Sequence, residues 1–205
     1  IFYINRSIMK NWYIYNNKKN YEKIKDYKEL TKIQKMIVAN RDMTSASQIR
    51  AIVKPSLDDL YDPFLLKDMD KAVELVVESM MMGEKIRIVG DYDQDGVSAT
   101  VTLLKGLGYF HEAISYSIPD RIEDGYGISK GIVDKAIEDQ VGLIITCDNG
   151  ISAFDVIDYA KENQLKIIVT DHHTVPLEDG RQKLPRADAV VNPMREDCSY
   201  PFKKI

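Results

Sequence analysis

The chain has 205 residues, 44% hydrophobic and 29% charged, with a formal net charge of −4. That length supports a substantial core, and the composition excludes disordered, collagenous and disulfide-framed classes. Apolar runs such as 143–146 are far too short to span a bilayer, and there is no signal-peptide pattern, so a cytoplasmic protein without a membrane partner is expected.

The chain begins on Ile1, and Met9-Lys10-Asn11-Trp12 reads as a natural start, with residues 1–8 upstream of it. Residues 1–40 carry nine Lys/Arg against three acids, a net +6 that leaves −10 on the rest. An acidic body with a basic leading segment suits a metal-carboxylate site fed by a polyanion, although charge alone favours a solvated lysine-rich helix face. Over 21–40, the apolar residues Ile24, Tyr27, Leu30, Ile33, Ile37 and Val38 fall at helical spacing. Thr44-Ser45 can cap a short helix running through Val53, and 55–63 is turn-rich and acidic, a linker. A helix over about 66–82 follows, with Met69, Val73, Val76, Val77 and Met80 on one side and Gly83 as its stop. The run Met80, Met81, Met82 reads as core filler.

From residue 86 the pattern becomes regular. Short β-rich runs at 86–89, 113–118, 143–146, 167–170 and 189–191 are expected strands, and segments near 97–108, 129–139 and 152–163 are expected helices. This alternation predicts an α/β fold, a parallel β-sheet with helices on both faces, preceded by a small mainly helical N-terminal segment. The expected division is 1–62 and 63–205. Cys147 closes an apolar run and reads as a small buried residue in a reducing compartment; His111 reads as a solvated loop residue.

In open parallel sheets, ligands bind beyond the carboxyl ends of the strands. Asp91, Asp93 and Asp95 directly follow the first expected strand, Asp148 and Asn149 the third, and Asp171, His172 and His173 the fourth. Three sequence-distant clusters therefore converge on one rim. Carboxylates crowded together need cations, and their mixture with imidazole favours Mn²⁺, with Mg²⁺ or Zn²⁺ as alternatives. Two such ions can clamp a phosphate and lower the pKa of a bridging water. Gly96 and Gly150 sit at strand-to-helix turns, where backbone N–H groups can meet a phosphate.

Each cluster also has a plainer reading. Asp91-x-Asp93-x-Asp95-Gly96 resembles the opening of a calcium loop, but Thr102 stands where that loop needs a glutamate. Asp148 alone is as well explained by a helix N-cap; a histidine pair suits a surface turn too, but two of the chain's three histidines stand behind a strand beside an aspartate, which favours ligation. No G-x-S-x-G elbow or G-x-x-x-x-G-K-[ST] loop is present, and Gly106-Leu107-Gly108 ends a helix rather than opening one. Response-regulator receivers also gather aspartates at strand ends, but have no use for paired histidines.

The triplet Asp171-His172-His173, the segment Gly90–Gly96 and the stretches Asp62–Met69, Pro119–Gly127 and Asp148-Asn149-Gly150-Ile151-Ser152 together resemble the DHH phosphoesterase superfamily, most nearly its RecJ-type single-stranded-DNA exonucleases. The resemblance runs from about residue 10 to the end. It implies 5′-to-3′ hydrolysis of single-stranded DNA to 5′-mononucleotides, Mn²⁺ or Mg²⁺ dependence with two ions, and a role in DNA repair and recombination. Its implied partners are single-stranded DNA, a single-stranded-DNA-binding protein and a helicase. Carried over by position, Asp93, Asp95, Asp148 and His172 are metal ligands, and Asp91 is a ligand or its close support. His173 touches the scissile phosphate or polarises the nucleophilic water, and Asp171 orients the imidazoles. Arg121 contacts phosphate or pairs with Glu123 or Asp124, and Asn149 and Gly150 are further phosphate contacts. Gln94 departs from the family's small or apolar residue there.

The resemblance also implies a further metal-binding aspartate and a second domain beyond Ile205, so a chain truncated at its carboxyl side, with weak metal binding and little nuclease activity of its own, is expected. Oligoribonucleotide and cyclic-dinucleotide phosphodiesterases share the metal site but carry a histidine where Val89 stands. A non-catalytic nucleic-acid-binding relative would have lost ligands that are intact here.

Overall fold

The structure, a computed structural model, describes residues 15–120 and 125–202. The chain divides into two compact units between Leu60 and Tyr61.

In the first unit the apolar residues expected on one helix lie on two. Helix α1 spans Lys18–Ile24 and α2 spans Lys32–Asn40, separated by a turn. Thr31 starts α2 with a capping box: its side chain accepts from the Gln34 N–H while the Gln34 side chain reaches back to the Thr31 N–H. Folding back at this point lets Ile24 and Leu30 pack against Val38, Ala39 and, from α3 (Ala46–Val53), Ile49. One straight helix would leave these residues without a partner surface, and tertiary packing outweighs the periodicity. Ser45 caps α3 with a second capping box to Gln48, as the sequence predicts. The expected linker contains one single-turn 3-10 helix, Leu57–Asp59, and a second, Pro63–Leu65, begins at its last residue.

The second unit opens with α4 (Met69–Met81), which starts later than expected because Asp68 adopts a left-handed backbone (φ 63°). Gly83, at φ 69°, ends it. The strands are β1 (Lys85–Val89), β2 (Ile114–Ser117), β3 (Val141–Cys147), β4 (Lys166–Thr170) and β7 (Ala189–Val191). They form one all-parallel sheet in the order β2-β1-β3-β4-β7. A two-stranded hairpin, β5 (Leu177–Glu178) and β6 (Arg181–Gln182), turns through Asp179 and Gly180, both at positive φ.

Helices α5 (Gln94–Gly108), α6 (Lys130–Glu138) and α7 (Phe154–Glu162) complete the fold. Side chains of α6 and α7 bury Val89, Ile144, Ile167 and Val169 on one face, while α4 and α5 cover Ile86, Leu143, Ile145 and Ile168 on the other. The central strands are therefore apolar on both sides, which is why they read as continuous β-branched runs. The methionine run departs from expectation: Met80 packs on the sheet, but Met81 and Met82 are exposed, as are Val73 and Val77. The apolar stripe of α4 is wider than the strip the sheet can cover. His111 is not merely solvated, since its Nε2 lies 2.8 Å from the Glu84 carbonyl oxygen.

After β7, Arg195 is buried and closes the sheet's end. Its guanidinium donates to Asp68 (2.6 Å), to Asp197 (2.9 and 2.8 Å) and to the Val190 carbonyl. Removing it leaves Asp68 with only the Val190 N–H at 3.3 Å, so Arg195→Ala is expected to cost about 3 kcal/mol, measured by urea unfolding. Arg195 holds the Asp197 carboxyl below its ordinary value. That contribution is present above the unfolded pKa near 3.8 and is lost as pH falls through the lower folded value. The variant should therefore differ less from the parent at pH 3 than at pH 7.

Candidate metal centre

The sheet order places its switch point between β1 and β3: the chain leaves β1 for β2 on one side and returns to β3 on the other. The carboxyl ends of these two strands open the crevice where α/β sheets hold ligands. Asp91 follows β1 and Asp148 follows β3.

Asp91 is buried, its carboxylate accepting from the Tyr92 N–H at 2.8 Å. Burial raises its pKa, with Asp93 and Asp95 adding to the effect. Asp93 is the N-cap of α5: its Oδ1 accepts from the Gly96 N–H at 3.1 Å, which lowers its pKa. Gly96 is required here, because a Cβ would stand 2.7 Å from the Asp91 backbone. Its N–H is thus committed to Asp93 and is not the open phosphate donor that the sequence suggested. Asp95 and Gln94 lie exposed in the first turn of α5.

Asp148 sits at φ 63°, a left-handed conformation rare outside glycine and costing about 1–3 kcal/mol. It caps no helix, since α7 starts only at Phe154 behind Ala153. Its buried side chain instead points at His172, Nε2 to Oδ1 2.7 Å. Burial raises the Asp148 pKa, followed by the charge of Asp95, while His172 lowers it in part. Asp171 is saturated: Oδ1 accepts from the His172 and His173 N–H groups and lies 2.7 Å from His173 Nδ1, and Oδ2 accepts from the Ile151 N–H. It therefore shapes the turn and orients His173, whereas His172 is oriented by Asp148. Burial opposes a charge on His173, but Asp171, Asp148 and Asp95 outweigh it and raise its pKa.

Two groups emerge with ligand atoms all within 4.8 Å of one another, Asp148 with His172 and His173, and Asp91 with Asp93 and Asp148. Asp148 belongs to both. Asp95 lies at the edge, Oδ2 3.8 Å from His172 Nε2. Among the described residues no lysine or arginine pairs with any of these five aspartates; their only cationic partners are the two histidines. Uncompensated buried carboxylates beside imidazole suit a divalent cation of intermediate softness.

The expectation for Asn149 is corrected. Its side chain is fully buried, donating to the Val89 and Cys147 carbonyls (3.0 Å each) and accepting from the Ile128 N–H (3.1 Å). It pins β1 to β3 beneath the site, with both side-chain amide donors engaged there. Gly150, at φ 109° with Thr146 Oγ1 where a Cβ would be, lines a cavity beside His173. Arg121 lies outside the described residues.

Tyr126 is a site residue that the sequence reading missed. Its hydroxyl donates to the Asp148 carbonyl at 3.1 Å and lies 3.3 Å from His173 Nε2, with the ring edge-on to the imidazole. Burial and the surrounding carboxylates raise its pKa, so it stays a neutral phenol. Gly125 and Gly127 flank it at positive φ, the available sequence signal. Cys147 is buried against Thr100, as expected.

Residues 85–201 match the family model described as DHH family, N-terminal domain. The single-stranded-DNA-specific exonucleases RecJ of Haemophilus influenzae, Bacillus subtilis and Escherichia coli are 40%, 35% and 36% identical over 73%, 90% and 86% of the chain. The chain spans only 25%, 23% and 29% of their lengths. Among solved structures, exonuclease RecJ bound to manganese matches 67% of the chain and 34% of its own, at TM-score 0.59 and 33% identity. RecJ of Thermus thermophilus in complex with Mn²⁺ matches 89% and 24%, at TM-score 0.60 and 26% identity. No helix among the described residues is long and apolar enough to cross a membrane. By sequence and by architecture, this chain belongs to the DHH family.

Proposed function

We propose that this chain carries the metal-binding half of a single-stranded-DNA-specific exonuclease, working 5′ to 3′ with two Mn²⁺ (or Mg²⁺) ions. The observation that carries this is Asp148, one buried carboxylate common to two ligand groups, the arrangement that two-cation phosphoester hydrolysis needs. Asp91, Asp93, Asp148 and His172 would hold the ions, with Asp95 at the rim. When bound, they supply a water of lowered pKa and charge neutralisation on the phosphate.

The chain's own residues do the rest. His173 Nδ1 lies 2.7 Å from Asp171 Oδ1, which leaves Nε2, 3.3 Å from the Tyr126 hydroxyl, to position water or touch phosphate. Tyr126, anchored on the Asp148 carbonyl, fixes the imidazole edge-on. Gly150, where a Cβ would meet Thr146 Oγ1, lines the cavity beside His173. The basic charge of residues 1–40 favours a polyanion. The setting that goes with this reading is DNA repair and recombination in the cytoplasm, alongside a single-stranded-DNA-binding protein and a helicase.

The test uses the full-length protein with Mn²⁺ and 5′-labelled single-stranded DNA. Release of mononucleotides from the 5′ end is expected, with little action on duplex. Cleavage of short RNA without action on long single-stranded DNA would point to the oligoribonuclease branch and sink this reading. Binding without any cleavage would point to a non-catalytic relative.

A further inference from the structure

Between α4 and α5 a groove of about 480 Å³ runs over the sheet face opposite α6 and α7. Val73 and Val77 of α4 and Leu103 and Leu107 of α5 wall it, and Ile145 and Ile168 lie at its floor. Among the described residues every one that lines it is apolar except Thr170. Along one wall, Glu74 and Glu78 stand beside Val73 and Val77, exposed and without an ion-pair partner among the described residues. On the other, Gly106 falls on the groove side of α5, between Leu103 and Phe110. No atom lies within 4 Å of where its Cβ would be, and its φ is not positive. A glycine inside a helix weakens it, and no neighbour among the described residues requires one here.

We infer that this groove seats an amphipathic helix supplied by the remainder of the full-length protein. The apolar stripe of that helix lies between α4 and α5 and passes Gly106 at close range, and its flank carries lysine or arginine toward Glu74 and Glu78. A groove that takes apolar anchors at helical spacing is a recurrent mode of helix recognition. Two observations set the occupant. The lining is that of an opened core, and such surfaces belong to permanent contacts, since transient ones are about as polar as ordinary surface. The chain also spans only 25%, 23% and 29% of the lengths of the three RecJ relatives, which leaves most of a polypeptide of that length to supply the helix. Nucleic acid does not suit the groove, because Glu74 and Glu78 repel phosphates and no cation lines the walls.

The test uses purified full-length protein carrying Val77→Cys, with Val73→Cys deciding should the first fail to fold. Cys147 and Cys198 are buried. Maleimide labelling of the introduced thiol is followed by peptide mass spectrometry, in buffer and in urea. Val77 is 48% exposed in the open groove, so an uncovered thiol there reacts readily. Under a seated helix it should react at least about thirtyfold more slowly in buffer than in urea, and no faster after dilution. A smaller difference overturns the seat, and protection lost on dilution overturns the same-chain occupant in favour of a second copy. Gly106→Ala gives an independent reading. Alanine favours a helix and raises Tm where the groove is open, but lowers Tm where another helix packs close. A raised Tm therefore overturns the close approach. Glu74→Lys combined with Glu78→Lys should speed labelling of the introduced thiol at least threefold, and an unchanged rate overturns the basic flank. No turnover is measured, so none of these outcomes depends on the exonuclease reading.

Discussion

Asp148→Asn is expected to abolish phosphodiester hydrolysis in the full-length protein, lowering kcat on the order of 10³-fold or more, while raising the stability of the metal-free protein. The first effect follows from position: the carboxylate belongs to both ligand groups, so its loss weakens both ion sites together. The second follows from electrostatics. Burial and Asp95 raise the folded pKa of Asp148. A carboxylate with a raised folded pKa destabilises the fold above that pKa, and the penalty fades as pH falls through it toward the ordinary 3.8. Asparagine keeps an acceptor for His172 Nε2 but carries no charge. At pH 7 without metal, the variant's Tm should be higher than the parent's. The gap should narrow on acidification, and added Mn²⁺ should stabilise the parent far more than the variant. A metal-free variant less stable than its parent at pH 7 would contradict this account, as would retained turnover.

Asn149→Ala should act in the opposite way, as a folding defect. Three hydrogen bonds are lost, and the Val89 and Cys147 carbonyls and the Ile128 N–H are left buried without this partner. A loss of about 3 kcal/mol is expected by urea unfolding, large for a single polar side chain. Activity should fall only with the folded fraction. An unchanged unfolding midpoint with a raised KM for DNA would place the amide on the phosphate after all.

The contrast between these neighbours shows how far a linear reading reaches. Both follow one strand, both are polar, and both are plausible ligands on paper. What separates them is the left-handed backbone at Asp148, which sends its carboxylate to His172 while the Asn149 amide turns inward to the β1 carbonyl end. The histidines divide similarly. As Asp171-His172-His173 they read as one unit, yet Asp171 holds only His173 by its side chain, and His172 is held from a different strand. Tyr126 is the complementary omission. Twenty-two residues separate it from Asp148, and only folding brings its hydroxyl to that carbonyl.

The sequence by itself determined the alternation of strands and helices, and hence the parallel sheet and the rim on which Asp91, Asp148 and Asp171 gather. These are short-range properties: β-branched runs buried on two faces are local in the chain, and strand ends in such a sheet share one edge by construction of the fold. The break at Thr31, the uncovered stripe of Val73, Val77 and Met81, and the roles within the site were decided only by the tertiary structure. Each depends on which distant surface or hydrogen-bonding partner a residue meets, and helical spacing or residue type does not encode that partner.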